Sequence, residues 1–160
     1  MVRSLLNDIK RVKDLGVCAI LVSFVGLLVM YGWLMDIPIL KTIIPGAVTM
    51  KFSTALCFFF SGIITGVTNL ERGRLSHKSE VIVSACSFAM LFLMLGMLVE
   101  ELSGTSMGLD NLFIMESPEE ARYSVSPGVP SLGTIISFLL LSTSGIVTGK
   151  HYIGPLQATP

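Results

Sequence analysis

Four apolar stretches of nearly membrane-spanning length restrict what this sequence can fold into. They cover residues 15–33, 50–70, 81–99 and 132–148. At about 1.5 Å of rise per helical residue, each approaches the roughly 30 Å hydrocarbon thickness of a bilayer. Their only formal charge is Lys51, which lies next to the start of the second stretch, where its side chain can reach the headgroups. The pattern predicts an all-α, polytopic membrane protein with four transmembrane helices.

The composition favours a membrane protein over a soluble domain. Hydrophobic residues make up 52% of the chain and charged residues 14%, whereas soluble domains carry about 25% charged residues. The mean hydropathy is +0.78. The formal net charge is zero and gives no indication of a nucleic-acid partner. We expect the partners to be membrane lipid and other membrane protein subunits, with no nucleic acid.

Basic residues are distributed unevenly among the connections. Eight of the 11 Lys and Arg residues lie before the first stretch, between the second and third, or after the fourth. Such an excess marks cytoplasmic loops. We therefore expect both termini in the cytoplasm and an acidic outer loop at residues 100–130. The first stretch is long for a signal peptide and lacks a small-residue cleavage site, so we expect an uncleaved anchor.

Residues 1–14 have an amphipathic pattern. Leu5, Leu6 and Ile9 share one helical face, and basic side chains take the opposite face. The pattern predicts a short helix that lies in the cytoplasmic membrane interface. The alternative is a solvated, frayed N-terminus whose periodicity is accidental, because short isolated helices are marginal in water.

The second and fourth apolar stretches carry the same motifs. Each is preceded by Pro-Gly, contains Thr-x-x-x-Phe, and ends in Ser-Gly-Ile-x-Thr-Gly. The Pro-Gly turn ends the preceding element. Hydroxyl side chains suited to capping the new helices follow it: Thr49, Ser53 and Thr54 in the first copy, and Ser131 and Thr134 in the second. The repeated residues are Pro45, Gly46, Thr54 and Phe58 in the first copy and Pro127, Gly128, Thr134 and Phe138 in the second.

These motifs predict two parallel two-helix repeats. The repeats cover residues 15–70 and 81–149, with a basic cytoplasmic loop at 71–80 between them and a cytoplasmic tail at 150–160. Both copies have the same orientation because an even number of spans separates them.

Each copy also ends in a Gly-x-x-x-Gly motif. The glycines are Gly62 and Gly66 in the first copy and Gly145 and Gly149 in the second. Small residues at this spacing let membrane helices approach closely. Glycine in a helix costs up to about 1 kcal/mol relative to alanine, so packing must compensate for it. We predict that these faces lie against neighbouring helices, and we favour an architectural role over contact with a ligand.

Three segments resemble a known membrane input region. Residues 40–62, 108–113 and 126–141 are similar to the region at the N-terminus of many bacterial sensor histidine kinases and diguanylate cyclases. There, two copies of Pro-Gly-x-x-Met-x-x-Thr-Ala-x-x-Phe begin alternate spans, and an outer loop carries Gly-Leu-Asp-x-Leu-Phe. The second copy departs from this pattern at Val129, Pro130 and Ile135. The resemblance, from about residue 31 to 149, implies a location in the bacterial inner membrane and a sensory or anchoring role. No output domain follows Lys150, so we expect a stand-alone version or a module recruited to another task.

The sequence contains no catalytic motif of the Ser-His-Asp, HExxH or phosphate-loop kind. We therefore expect a protein that is not an enzyme and has no cofactor. Whether His77 or His151, both in cytoplasmic flanks, contacts a pigment or haem stays open. Two functions remain: a sensory, signal-coupling module, or a small accessory subunit that braces a larger photosynthetic or respiratory complex. The apolar cluster of the outer loop is the candidate partner contact: Leu109, Leu112 and Phe113.

Overall fold

The computed structural model describes residues 2–42, 49–71, 75–104 and 129–151, which form helices and no strands. The helices are α1 (Val2–Leu34), α2 (Pro38–Lys41), α3 (Phe52–Leu70), α4 (His77–Ser103) and α5 (Leu132–His151). Within them, Lys13–Leu34, Phe52–Leu70 and His77–Ser103 are long and apolar enough to cross a membrane, and Leu132–Thr148 is a shorter apolar stretch. The all-helical, membrane-embedded class is thus confirmed, while the fourth span and the repeat organisation stay predictions.

The first helix differs from the prediction of a separate N-terminal interfacial helix. α1 runs from Val2 to Leu34 without interruption. Residues 14–16 contain no proline, and the single glycine there costs only about 1 kcal/mol in a helix. The prediction of a distinct helix over residues 1–14 is therefore wrong, because this segment and the first span form one helix.

The long helices form two hairpins that pack side by side. α1 packs along α3, α4 packs along α5, and α3 contacts both α4 and α5. Phe58 lies against Phe138, and further along α3 the Ile64 side chain lies beside Gly145. α3 and α5 therefore run in the same direction, which is the relation that two parallel repeats require.

The interface between the hairpins is built from long, flexible side chains. α4 buries Val83, Met90, Met94 and Met97 at spacings of seven, four and three residues, which places them on one helix face. They form a single cluster with Cys57 and Ile64 of α3 and with Ile135 and Phe138 of α5. Methionine fills irregular gaps because its side chain is unbranched and flexible.

The outward faces of the helices are apolar. Large hydrophobic side chains are exposed on each long helix, for example Phe24 on α1, Leu70 on α3, Phe92 on α4 and Leu140 on α5. A soluble monomer rarely exposes so much apolar surface. These faces are suited to contact with lipid.

The two ends of the bundle have different connections. At the first end, here the Trp33 end, α1 ends, α3 begins, α4 ends and α5 begins. At the opposite end, here the His77 end, the Glu71 carboxylate accepts hydrogen bonds from the Ser76 N–H and the Ser79 hydroxyl. A carboxylate beside the start of α4 is stabilised by the helix dipole, so Glu71 helps to fix the turn between the hairpins.

Candidate functional site: the helix seams and the Trp33 end

The seam between α1 and α3 is a direct contact of backbones. A Cβ atom added to Gly62 would lie 2.7 Å from the carbonyl oxygen of Ala19 and 2.8 Å from the backbone nitrogen of Ser23. It would also overlap the Ser23 hydroxyl. Real Cβ atoms do not approach backbone atoms this closely, so only glycine fits at this position.

A second glycine makes the same kind of contact from the opposite helix. A Cβ added to Gly26 of α1 would lie 2.6 Å from the Ala55 carbonyl oxygen and 2.7 Å from the Phe59 nitrogen of α3. Sequence analysis missed this side of the seam. The signal was present, because Ala19, Ser23 and Gly26 follow each other at spacings of four and three residues, which places small residues on one face of α1.

The other predicted packing glycines are not equivalent to Gly62. At Gly66 an added Cβ would meet the Ala19 side chain at 3.6 Å, which is ordinary van der Waals contact. At Gly145 it would overlap the Ser87 hydroxyl of α4, with the Ser87 Cβ at 3.3 Å. Gly149 belongs to α5, and its surroundings lie outside the described residues. Gly62 and Gly145 thus each pack their helix against a serine of its hairpin partner.

The repeated phenylalanines meet each other. The rings of Phe58 and Phe138 are 5.4 Å apart between centroids and nearly perpendicular, at 84°. Edge-to-face pairs at this distance are favourable beyond their apolar area. Phe58 and Phe138, which occupy equivalent positions in the two copies, therefore contact each other across the interface between the hairpins. Thr54, the repeated threonine of the first copy, is buried in α3. Seven other residues predicted as motif or partner contacts lie outside the described residues: Pro45, Gly46, Pro127, Gly128, Leu109, Leu112 and Phe113.

The two copies begin their helices differently. In the second copy, the Ser131 hydroxyl accepts a hydrogen bond of 3.3 Å from the Thr134 N–H, as predicted for a capping residue. In the first copy the residue at the cap is Lys51, whose side chain makes no capping hydrogen bond. The hydroxyl groups of Thr49 and Ser53 make no hydrogen bond. The prediction that they cap α3 is wrong.

The spacing of the motifs explains this difference. Gly46 and Thr54 are eight positions apart (54 − 46), whereas Gly128 and Thr134 are six apart (134 − 128). The first copy thus has two additional residues before the helix begins. They place Lys51 where the second copy has its capping serine, and they leave Thr49 ahead of the helix.

Trp33 closes the connection between α1 and α3. Its indole Nε1–H donates a 2.8 Å hydrogen bond to the carbonyl oxygen of Met50. The Lys41 ammonium lies 4.4 Å from the centroid of the Trp33 ring and 2.6 Å from the Asp36 carboxylate. The Met50 N–H in turn donates to the Lys41 carbonyl oxygen at 2.9 Å. The Trp33 side chain is buried within the protein, although an aromatic residue near the end of a span is also typical of an interfacial belt. We call these four residues the Trp33 clasp.

Asp36 has an unusual backbone conformation within this clasp. Its φ angle is +52°. Residues other than glycine rarely adopt a positive φ angle, although Asp and Asn tolerate it better than most. The turn follows the end of α1 and directs the carboxylate onto Lys41. Strain of this kind persists only where the surrounding contacts hold it, and here the lysine and the tryptophan supply them.

The titratable groups at the His77 end form no cluster within the described part of the chain. His77 Nδ1 lies 3.8 Å from Glu80 Oε2, and no group of three or more His, Cys, Asp or Glu residues that could hold a metal occurs among the described residues. The side chain of His151 lies outside them. No protein-family model matches this chain, and neither curated proteins nor solved structures give a match.

Proposed function

We propose that this chain is a non-catalytic module of the bacterial inner membrane that couples a signal to a membrane protein partner. The proposal comprises four spans in two parallel repeats, with both termini in the cytoplasm. It is supported by the excess of basic residues in alternate connections and by the resemblance to the membrane input regions of sensor kinases and cyclases. On this account the Trp33 end faces outward and the His77 end faces the cytoplasm.

The observation that carries the proposal is the contrast between the seams inside the hairpins and the interface between them. Within the first hairpin, backbone meets backbone at Gly26 and Gly62, so the two helices cannot shift without steric overlap. Between the hairpins, the contacts are side chains, with three methionines among the eight buried residues of the cluster, and unbranched methionine side chains adapt readily to altered packing. Small shifts of packed elements are an established way to pass a signal through helices.

A detergent pull-down tests the proposal against the accessory-subunit alternative. The tagged full chain is purified from its native membranes, and the recovered proteins are quantified by mass spectrometry. A matched control is a chain of the same length and tag from an unrelated four-helix membrane protein. Specific recovery of a kinase or cyclase supports signal coupling. Recovery of a photosynthetic or respiratory complex in a fixed ratio contradicts it and supports the accessory subunit.

A further inference from the structure

Two buried hydroxyl groups at the start of α3 make no hydrogen bond. They are Thr49 Oγ1 and Ser53 Oγ, on residues that are 8% and 3% exposed. A buried polar group without a partner is unfavourable, and most such groups in folded proteins are satisfied by protein, water or a ligand. Two of them flank one helix start, four residues apart along the chain.

The surroundings of these hydroxyls favour an anion as the missing partner. α3 has 19 residues, and its cap residue, Lys51, supplies no side-chain oxygen to the N–H groups of the first turn, where the helix dipole favours negative charge. The Ser53 side chain leans toward this end because Cα–Cβ bonds in a helix point toward the N-terminus. Lys51, at the cap position, is buried. It already interacts within the chain, so the two hydroxyls are the open donors.

The position in the membrane narrows the class of anion. The segment Phe52–Leu70 can cross a membrane, so its first residues lie near the level of the lipid headgroups. Phosphate groups are the abundant anions at that level, and a helix N-terminus with hydroxyl donors suits a phosphate's several acceptor oxygens. We propose that the start of α3 is a phosphate-binding site, with Thr49 and Ser53 as hydroxyl donors. The phosphate belongs either to a phospholipid or to a free anion.

The test uses the full chain, stripped of lipid and purified in a phosphate-free maltoside detergent. Thermal unfolding is followed while inorganic phosphate is added against chloride at equal ionic strength. In a second arm, dihexanoyl phosphatidic acid is added against dihexanoylglycerol, which lacks the phosphate. The variants are Thr49→Val and Ser53→Ala. Ser87→Ala is the matched control, because Ser87 Oγ is also buried without a hydrogen bond but lies against Gly145 in the other hairpin.

We expect phosphate to raise the unfolding midpoint of the wild type and of Ser87→Ala. Thr49→Val and Ser53→Ala should each bind at least about tenfold more weakly, since each loses a hydrogen bond to a charged group. A response to phosphatidic acid alone identifies a lipid site, and a response to inorganic phosphate identifies a free-anion site. If neither compound shifts the midpoint, or if both variants respond as the wild type does, the proposal is wrong and the hydroxyls contact water at most. The unfolding midpoints without phosphate report whether each variant folds.

Discussion

Replacing Gly62 with alanine tests the backbone contact between α1 and α3. Alanine is favoured over glycine in a helix by about 1 kcal/mol, so a helix that faced lipid would gain stability. Here the added Cβ would lie 2.7 Å from the Ala19 carbonyl oxygen and 2.8 Å from the Ser23 nitrogen. Backbone atoms cannot rotate away, and overpacking of this kind costs about 1–3 kcal/mol. We expect Gly62→Ala to be destabilising, by a net cost of up to about 2 kcal/mol.

Gly66→Ala is the control within the same motif. Its added Cβ would lie 3.6 Å from the Ala19 side chain, so this variant should be neutral or gain up to about 1 kcal/mol. Circular dichroism during thermal unfolding in detergent measures both variants. At about 2–4 °C per kcal/mol for a chain of this size, Gly62→Ala should melt several degrees below Gly66→Ala. Equal midpoints for the two variants would show that the helices do not touch at Gly62.

Three further predictions concern other parts of the molecule. Gly145→Ala should destabilise the second hairpin by less than Gly62→Ala destabilises the first, because the overlap is with the Ser87 side chain, which can rotate. Adding Ser87→Ala to Gly145→Ala should reverse most of the decrease in the unfolding midpoint. Trp33→Phe should cost about 1–2 kcal/mol in the same assay, since it removes a hydrogen bond and weakens the stacking of a lysine. A cysteine at position 117 should react with a membrane-impermeant maleimide from the periplasm and one at position 76 should not, and the reverse would contradict the proposed orientation.

The long helices could be predicted because apolar length alone determines them. α1, α3 and α4 each contain a stretch of spanning length, and hydropathy reports this directly. Hydropathy does not predict which helix packs against which face of its neighbour. Ala19, Ser23 and Gly26 form a small-residue face, but several helices of this chain carry small residues. Only the three-dimensional arrangement shows that this face meets Gly62.

The start of α3 shows why a sequence motif alone could not predict the helix cap. The hydroxyl-rich helix starts look alike in the two copies, and capping was the natural prediction for both. A shift of two residues moves the cap position from a serine to Lys51. The two additional residues can be counted in the sequence. Which residue they bring to the cap position depends on where the helix begins, and contacts with neighbouring elements determine that boundary. The burial of Trp33 could not be predicted from the sequence either, because an aromatic residue near the end of a span is equally typical of an exposed interfacial belt.

The proposal that the two hairpins shift against each other while the first hairpin stays rigid can be tested by distance measurements between spin labels. The native cysteines at positions 18, 57 and 86 are first replaced by serine or alanine. Labels at the exposed positions Lys13 and Val147 report on the distance between hairpins, and labels at Lys13 and Leu70 report on a distance within the first hairpin. Double electron–electron resonance is then recorded in nanodiscs of thin and thick lipid. We expect the distance between the hairpins to change with bilayer thickness while the distance within the first hairpin stays constant. Two distances that both stay constant would contradict it.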